Sequence, residues 1–274
     1  MTSTHQNPPA DDTTAAGTDI VAKARDLLRL HTDPGLLVMV NVWDVISATV
    51  VADLPGTTAL ATASHSIAAS YGYPDGEQIP VDLMVEACGR IAAATGLPVS
   101  ADLEAGYGDP GETTRKAIGA GIVGANIEDQ MKPLPEAVAS VAAVVAAGEQ
   151  AGVPFVLNAR TDAFLRAKDR EPADVLADAI ERGRAFLDAG AACVFVPGMF
   201  GLPTIEALVA GIGERKVSTI GLPGTPPPAE QAAAGVARIS YGPWTQRVAL
   251  TALADVGATL MAGGALPGGT RPLN

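Results

Sequence analysis

The chain predicts a (β/α)8 barrel preceded by one additional helix, and three observations lead there. Short apolar or β-branched runs alternate with longer helical patterns from residue 19 onward; eight such runs occur; and about 250 residues hold them. The runs cover residues 37–43, 58–64, 99–104, 124–129, 155–161, 193–197, 217–220 and 237–240. An opening helix over 20–31 is placed to plug the bottom of the barrel. Helix stops fall near Gly96, Gly121, Gly152, Gly190 and Gly235, each in an Ala-Gly or Thr-Gly pair followed by a small or apolar residue. A doubly wound open sheet would have fewer strands and a G-x-G-x-x-G turn. Gly106-Tyr107-Gly108 follows a strand but runs into Asp109-Pro110-Gly111, which makes a loop.

Residues 1–17 have neither a basic start nor an apolar stretch and are expected as a disordered tail, leaving 18–274 as a single barrel domain. The chain has 30 acidic and 18 basic residues, with the cations scattered. That balance excludes an electrostatic footprint for nucleic acid or an anionic membrane. No apolar run is long enough to span a bilayer, so a cytoplasmic protein is expected. Cys88 and Cys193 have neither metal-ligand spacing nor a disulfide framework and read as core residues of a reduced protein.

Barrel chemistry belongs at the carboxyl ends of the strands, and these ends are polar. They carry Asn41, Trp43 and Asp44; Ser64 and His65; Asp102 and Glu104; Glu128 and Asp129; then Asn158, Arg160 and Asp162. Asp102 and Glu104, two apart in VSADLEAGYGD, are expected on one side of their strand and facing the barrel axis. Glu128, in GANIEDQ, arrives from the next strand. Three carboxylates at one end of a parallel sheet repel each other unless a cation lies between them. Oxygen-only ligands favour a hard divalent ion, Mg2+ or in its place Mn2+. Helix capping, or pairing with arginines, is the structural alternative for these acids. Arg160 is suited to hold a carboxylate or phosphoryl group in a bidentate fork; an ion pair with Asp162 or Glu128 is its alternative.

These residues resemble the isocitrate lyase and phosphoenolpyruvate mutase superfamily over about residues 38–256, through ATASHSIAASYGYPDGE, SADLEAGYGD, GANIED and VLNARTD in matching order and spacing. The resemblance implies a barrel that binds magnesium and stabilises the enolate of a small 2-oxo acid, often as a dimer or tetramer with its last helix exchanged. Carried over residue by residue, Asp102 resembles the principal metal ligand, and Glu104 and Glu128 resemble acids that hold the ion directly or through water. Ser64 and Asp75 resemble positions of the oxo-acid pocket, Arg160 the arginine that contacts substrate, and Asn41, Trp43 and Asn158 are candidates for lining the cavity. Where relatives that cleave isocitrate or methylisocitrate have Lys-Lys/Arg-Cys-Gly-His, this chain has Gln130-Met131-Lys132-Pro133-Leu134-Pro135, and Pro197 stands where mutases have a histidine. Lys132 and His65 are then the candidates for moving a proton.

The expected activity is a magnesium-dependent carbon–carbon lyase of an oxaloacetate-like or methylisocitrate-like acid. A phosphonomutase acting on phosphoenolpyruvate or carboxyphosphonoenolpyruvate, or a phosphonopyruvate hydrolase, is the enzymatic alternative. A non-catalytic 2-oxo acid-binding protein is the alternative of another class.

Overall fold

The computed structural model of the protein describes residues 12–273, and from residue 19 their side chains. Most of the expected tail, with His5, lies outside the described residues. Helix α1 (Asp12–Thr32) begins well before residue 20 and takes in residues 12–17, so helical structure reaches into the segment expected as a tail. After it come β1 (Leu37–Met39), β2 (Asn41–Val42), α2 (Val45–Ala52), β3 (Leu60–Thr62), α3 (Ser64–Ser70), α4 (Val81–Thr95), β4 (Val99–Asp102) and α5 (Pro110–Gly119). Then follow β5 (Gly124–Glu128), α6 (Leu134–Gln150), β6 (Val156–Arg160), α7 (Pro172–Asp188) and β7 (Cys193–Phe195). The chain continues through α8 (Leu202–Ile212), β8 (Val217–Ile220), α9 (Pro228–Ala233), β9 (Arg238–Ser240) and α10 (Trp244–Met261).

All pairings are parallel, in the order β1-β9-β8-β7-β6-β5-β4-β3-β2. Strands β1 and β2 are two halves of the expected first strand, parted at Val40; one half pairs with β9 and the other with β3. The ring therefore closes, as a (β/α)8 barrel requires. Proline in the first turn starts α5, α6, α7, α8 and α9, where its missing N–H costs no bond. Gly96, Gly121, Gly152, Gly190 and Gly235 all have positive φ, as expected of glycines that terminate helices.

Residues in register across parallel strands share a face, which allows the interior to be read in layers. The floor is apolar: Leu37, Met39, Ala61 and Val156 meet Leu27 of α1. Gly124 must lack a side chain there, because a Cβ would lie 2.7 Å from Leu27 Cδ2 and from the Val156 carbonyl. Above it lies a polar layer in which Arg238 Nη1 donates to Ser100 Oγ (3.0 Å) and Asn158 Nδ2 donates to Asn126 Oδ1 (2.9 Å) and Ser218 Oγ (3.3 Å). At the mouth, β4 ends in Asp102, Glu128, Arg160 and Phe195 lie side by side in register at the ends of β5, β6 and β7, and β8 ends in Ile220. Cys88 and Cys193 are buried and free, and burial pushes their thiols up to about 12 and about 11. Among the described residues no helix is long and apolar enough to cross a membrane.

Candidate active site

Asp102 ends β4, and its Oδ2 accepts two hydrogen bonds from Ser64 at the start of α3: from Oγ at 2.8 Å and from the backbone N–H at 3.1 Å. The Asp102 N–H donates to Thr62 Oγ1 at 3.0 Å, so β3 and β4 fix the aspartate from both ends. Ser64 was expected to meet substrate; its hydroxyl instead orients Asp102, because the helix start brings it beside that carboxylate.

Glu104 does not follow the strand alternation expected of it. Strand β4 stops at Asp102, and Glu104 has a left-handed backbone (φ 53°), so a turn and not the pleat aims its side chain. Its Oε2 accepts from the Glu77 N–H, and its Oε1 from the Tyr107 hydroxyl at 3.2 Å. Glu77 in turn accepts the Tyr107 N–H at 2.6 Å through Oε1, which ties the loop after β3 to the loop after β4. Glu77 was missed in the sequence because an acid in a Gly-containing turn carries no periodic signal. Asp75, in the same turn, is exposed, and its charge is felt by Glu104.

Glu128 ends β5 and pairs through Oε2 with Arg160 Nη1 at 2.8 Å, while Arg160 Nε donates to buried Asp162 Oδ1 at 2.8 Å. Arg160 thus makes both of its alternative ion pairs. Burial opposes its charge, and Glu128, Asp162 and Asp102 outweigh that opposition and hold its pKa above the usual value. Asp129 belongs to the frame: Oδ1 accepts from the N–H groups of Met131 (2.9 Å) and Asp162 (3.0 Å), and Oδ2 pairs with Arg182 Nη1 (3.1 Å). Gln130 and Met131 both have positive φ (49° and 56°), and Arg182 also holds the Lys132 carbonyl at 3.0 Å. The backbone carrying Lys132 is therefore a pinned turn.

Three expected substrate contacts are placed elsewhere. Asn41 spends its amide on backbone, donating to the Thr62 carbonyl (2.7 Å) and accepting from the N–H groups of Tyr241 (2.6 Å) and Gly242 (2.8 Å), so it seals the barrel where β2 meets the loop after β9. Asn158 is fully buried in the polar layer below the mouth. Trp43 lines an outer groove of about 310 Å3 with Val40, Ile46, Val50 and Thr245. In each case the direction of the side chain was decided by packing. His65 follows Ser64 in α3, with Nδ1 buried and unpartnered.

The acid set has an electrostatic cost. Burial, then mutual repulsion, raises Glu104 and Glu128 from 4.5 to about 7; Asp102 and Asp75 add to the rise at Glu104, and Asp162 and Asp102 at Glu128, where Arg160 only partly offsets it. Among the described residues no three His, Cys, Asp or Glu side chains approach closely enough to hold one ion together, which leaves Glu104 and Glu128 the water-mediated one of their two expected roles. Each carboxylate is already held by Ser64, by Glu77 and Tyr107, or by Arg160. This donor set fits a hard cation that keeps much of its own water, as magnesium does, and does not fit a cage of three direct carboxylates.

Both glutamates keep a proton in the folded chain between about pH 4.5 and 7, where an unfolded glutamate has lost it. Their contribution to the stability of the metal-free protein is complete below that window and declines as the pH rises through about 7. Thermal melts are expected to show the decline, and Mg2+ is expected to raise Tm more at pH 8 than at pH 6, because it competes with those protons. Equal shifts at the two pH values would argue against an ion at this site.

The family model for phosphoenolpyruvate phosphomutase matches residues 27–261. Protein Rv1998c of Mycobacterium tuberculosis, of uncharacterised activity, is 30% identical over 239 residues, covering 87% of this chain and 90% of that one. The oxaloacetate decarboxylase of Rhodopseudomonas palustris strain BisA53 is 30% identical over 176 residues, 62% of this chain and 61% of that enzyme. Among solved structures, a protein of Burkholderia cenocepacia J2315 provisionally assigned as a phosphonomutase superposes with a TM-score of 0.82 at 41% identity, over 89% of this chain and all of that one. An oxaloacetate acetylhydrolase bound to the inhibitor 3,3-difluorooxalacetate superposes with a TM-score of 0.82 at 26% identity, over 92% and 91% of the two chains. On a match that runs from α1 to the end of α10, the chain belongs to the phosphoenolpyruvate phosphomutase family, within the PEP mutase/isocitrate lyase superfamily.

Proposed function

We propose that this protein is a divalent-metal-dependent lyase, using Mg2+ or Mn2+, that cleaves a carbon–carbon bond beside a 2-oxo or 2-hydroxy carboxylate through an enolate. The observation that carries the reading is the set of Asp102, Glu104 and Glu128 facing Arg160 at the carboxyl ends of three consecutive strands. Relatives acting on oxaloacetate support it. A bound divalent ion supplies a positive centre for oxyanion charge. Asp102 would hold that ion, oriented by Ser64, and Glu104 and Glu128 would hold its water. Arg160, braced by Glu128 and Asp162, presents its remaining N–H groups to the substrate carboxylate, with Asp75 on the rim helping to orient the substrate. When the bond breaks, its electron pair becomes the enolate, and a proton must then reach the enolate carbon. Lys132 and His65 are the proton candidates: Lys132 makes no ion pair among the described residues, and His65 Nδ1 has no partner.

A phosphonomutase or phosphonopyruvate hydrolase is the second reading, favoured by the 41% identity to the Burkholderia protein. Product release in Mg2+ from oxaloacetate, methylisocitrate, citramalate, phosphonopyruvate and their alkylated relatives separates the two. Turnover of a carbon substrate is expected; turnover of phosphonopyruvate alone would move the protein to the second reading, and turnover of none would refute both.

We propose further that the protein is a homodimer or homotetramer assembled through α10. That helix is held at its start by Gln246, whose Nε2 donates to Ser66 O and Ser70 Oγ, both at 3.1 Å, and Gln246 is its one buried residue. Beyond it Val248, Leu250, Leu253 and Met261 are exposed, at 68%, 53%, 65% and 89%. A helix this apolar is stable where a neighbour covers it. Val248→Glu with Leu253→Glu is expected to yield a folded monomer by light scattering; an oligomer of unchanged mass would refute the assignment.

A further inference from the structure

The mouth of the barrel is chemically two halves. Charge is confined to the ends of β3 to β6 and to Asp44, whereas residues 195–205, 220–229 and 239–246, which follow β7, β8 and β9, contain no charged side chain at all. Register carries the same division inside the ring. Glu128 lies beside Arg160 and Arg160 beside Phe195, so hydrocarbon directly succeeds the arginine; Phe195 is paired with Ser218, and Ile220 ends that next strand two residues nearer the mouth. At the rim, Phe164 and Phe200 pack with ring centroids 4.8 Å apart and an interplanar angle of 56°. The packing is built into the backbone, since a Cβ at Gly198 would overlap the Phe200 ring. Leu165 and Met199 beside them are exposed, at 55% and 73%.

This half offers an anion no charged side chain, and several of its backbone donors are taken. The N–H of Gly221 is given to the Ser240 carbonyl, that of Leu222 to Thr225 Oγ1, that of Thr225 to the Leu222 carbonyl and that of Val196 to the Ser218 carbonyl. Pro197, Pro223, Pro226 and Pro227 have no N–H to give. Arg160 is engaged with Glu128 and Asp162, and Arg166 with Asp162, while Arg238 of β9 is fully buried in the polar layer below the mouth, where Nη1 donates to Ser100. A second carboxylate placed here would lose water and gain no cationic partner.

We propose that the substrate carries a hydrocarbon group, not a second carboxylate, beyond its oxo acid, and that this group lies against Phe195, Ile220 and the Phe164–Phe200 pair. The proposal rests on the oxo-acid reading of the charged half. Substrates of this class are 4-hydroxy-2-oxo monocarboxylates with a branched or aryl group at C4: the C3–C4 bond breaks, the C4 fragment leaves as an aldehyde as its hydroxyl proton passes to a base, the electron pair stays in the pyruvate enolate, and a proton returns to C3; the large polycarboxylates are poor ones.

Isothermal titration of the Mg2+-loaded full chain with two acids of equal shape tests it. 5-Methyl-2-oxohexanoate carries an isopropyl group where 2-oxoglutarate carries a carboxylate, and oxalate reports on the charged half alone. Oxalate is expected to bind, and the branched acid to bind at least tenfold more tightly than 2-oxoglutarate. Met199→Arg, at an exposed position that does not disturb folding, is expected to narrow or reverse that ratio while leaving oxalate unchanged. Oxalate binding together with equal or tighter binding of 2-oxoglutarate overturns this proposal alone. Failure of oxalate to bind overturns the oxo-acid reading and this proposal with it.

Discussion

Asp102→Ala is expected to lower kcat/KM by about a thousandfold, equivalent to about 4 kcal/mol of transition-state stabilisation, and to weaken Mg2+ binding in parallel. The size follows from position. Asp102 is the acid that ends β4 on the inner face of the barrel, and Ser64 occupies one of its oxygens through two hydrogen bonds, leaving Oδ1 for a cation. Glu104 and Glu128 have less to offer directly, since Glu104 is held at both oxygens and Glu128 is shared with Arg160. Ser64→Ala should give a smaller loss, about tenfold, because it removes orientation while leaving the carboxylate in place. Calorimetric titration with Mg2+ and steady-state kinetics on the turned-over substrate check both. Unaltered metal affinity in Asp102→Ala would remove the aspartate from the role assigned to it.

Arg182→Ala is expected to destabilise the protein by about 3–5 kcal/mol, the cost of leaving a buried charge without its partner. The side chains of Arg182 and Asp129 are 9% and 1% exposed, and their pair is 3.1 Å long. Removing the guanidinium strands the Asp129 carboxylate and the Lys132 carbonyl together. For a chain of this length that is a fall in Tm of roughly 6–20 °C. The effect should reach the mouth as well, because Asp129 also accepts the N–H of Asp162, the residue that braces Arg160. The double variant Asp129→Asn with Arg182→Met should recover part of the stability, since no charge is then left buried and alone. A Tm fall of less than about 2 °C in Arg182→Ala would show that water reaches the Asp129 carboxylate and that the pair is ornamental.

Much of this was legible in the residues. Every expected strand appears, the one over 217–220 with its bounds unchanged, the first parted at Val40 and the others shortened by one to four residues, because alternation and apolar runs report burial on a sheet. The helix-ending glycines were legible too, since few other residues tolerate the left-handed turn that follows a helix. The start of α1 was not, because residues 12–17 are small and polar with no apolar stripe to mark a helix. Within the site, Asp102, Glu128 and Arg160 were placed together by strand order alone.

What the sequence determined by itself is the barrel, its polar carboxyl end and the family, because these depend on periodicity and on which residue types end the strands. Which groups each side chain meets was decided by the tertiary structure. Asn41 closes the ring, Ser64 serves Asp102, Glu77 reaches Glu104, and Asp129 is given to Arg182, all through partners 27 to 201 positions away in the chain. The apolar half of the mouth has the same origin. Phe195 carries no signal of its own in the sequence, and only the pairing of β6 with β7 sets it beside Arg160. A strand pattern specifies on which face a side chain lies; only the closed barrel, with its fixed register and close packing, specifies what lies across from it.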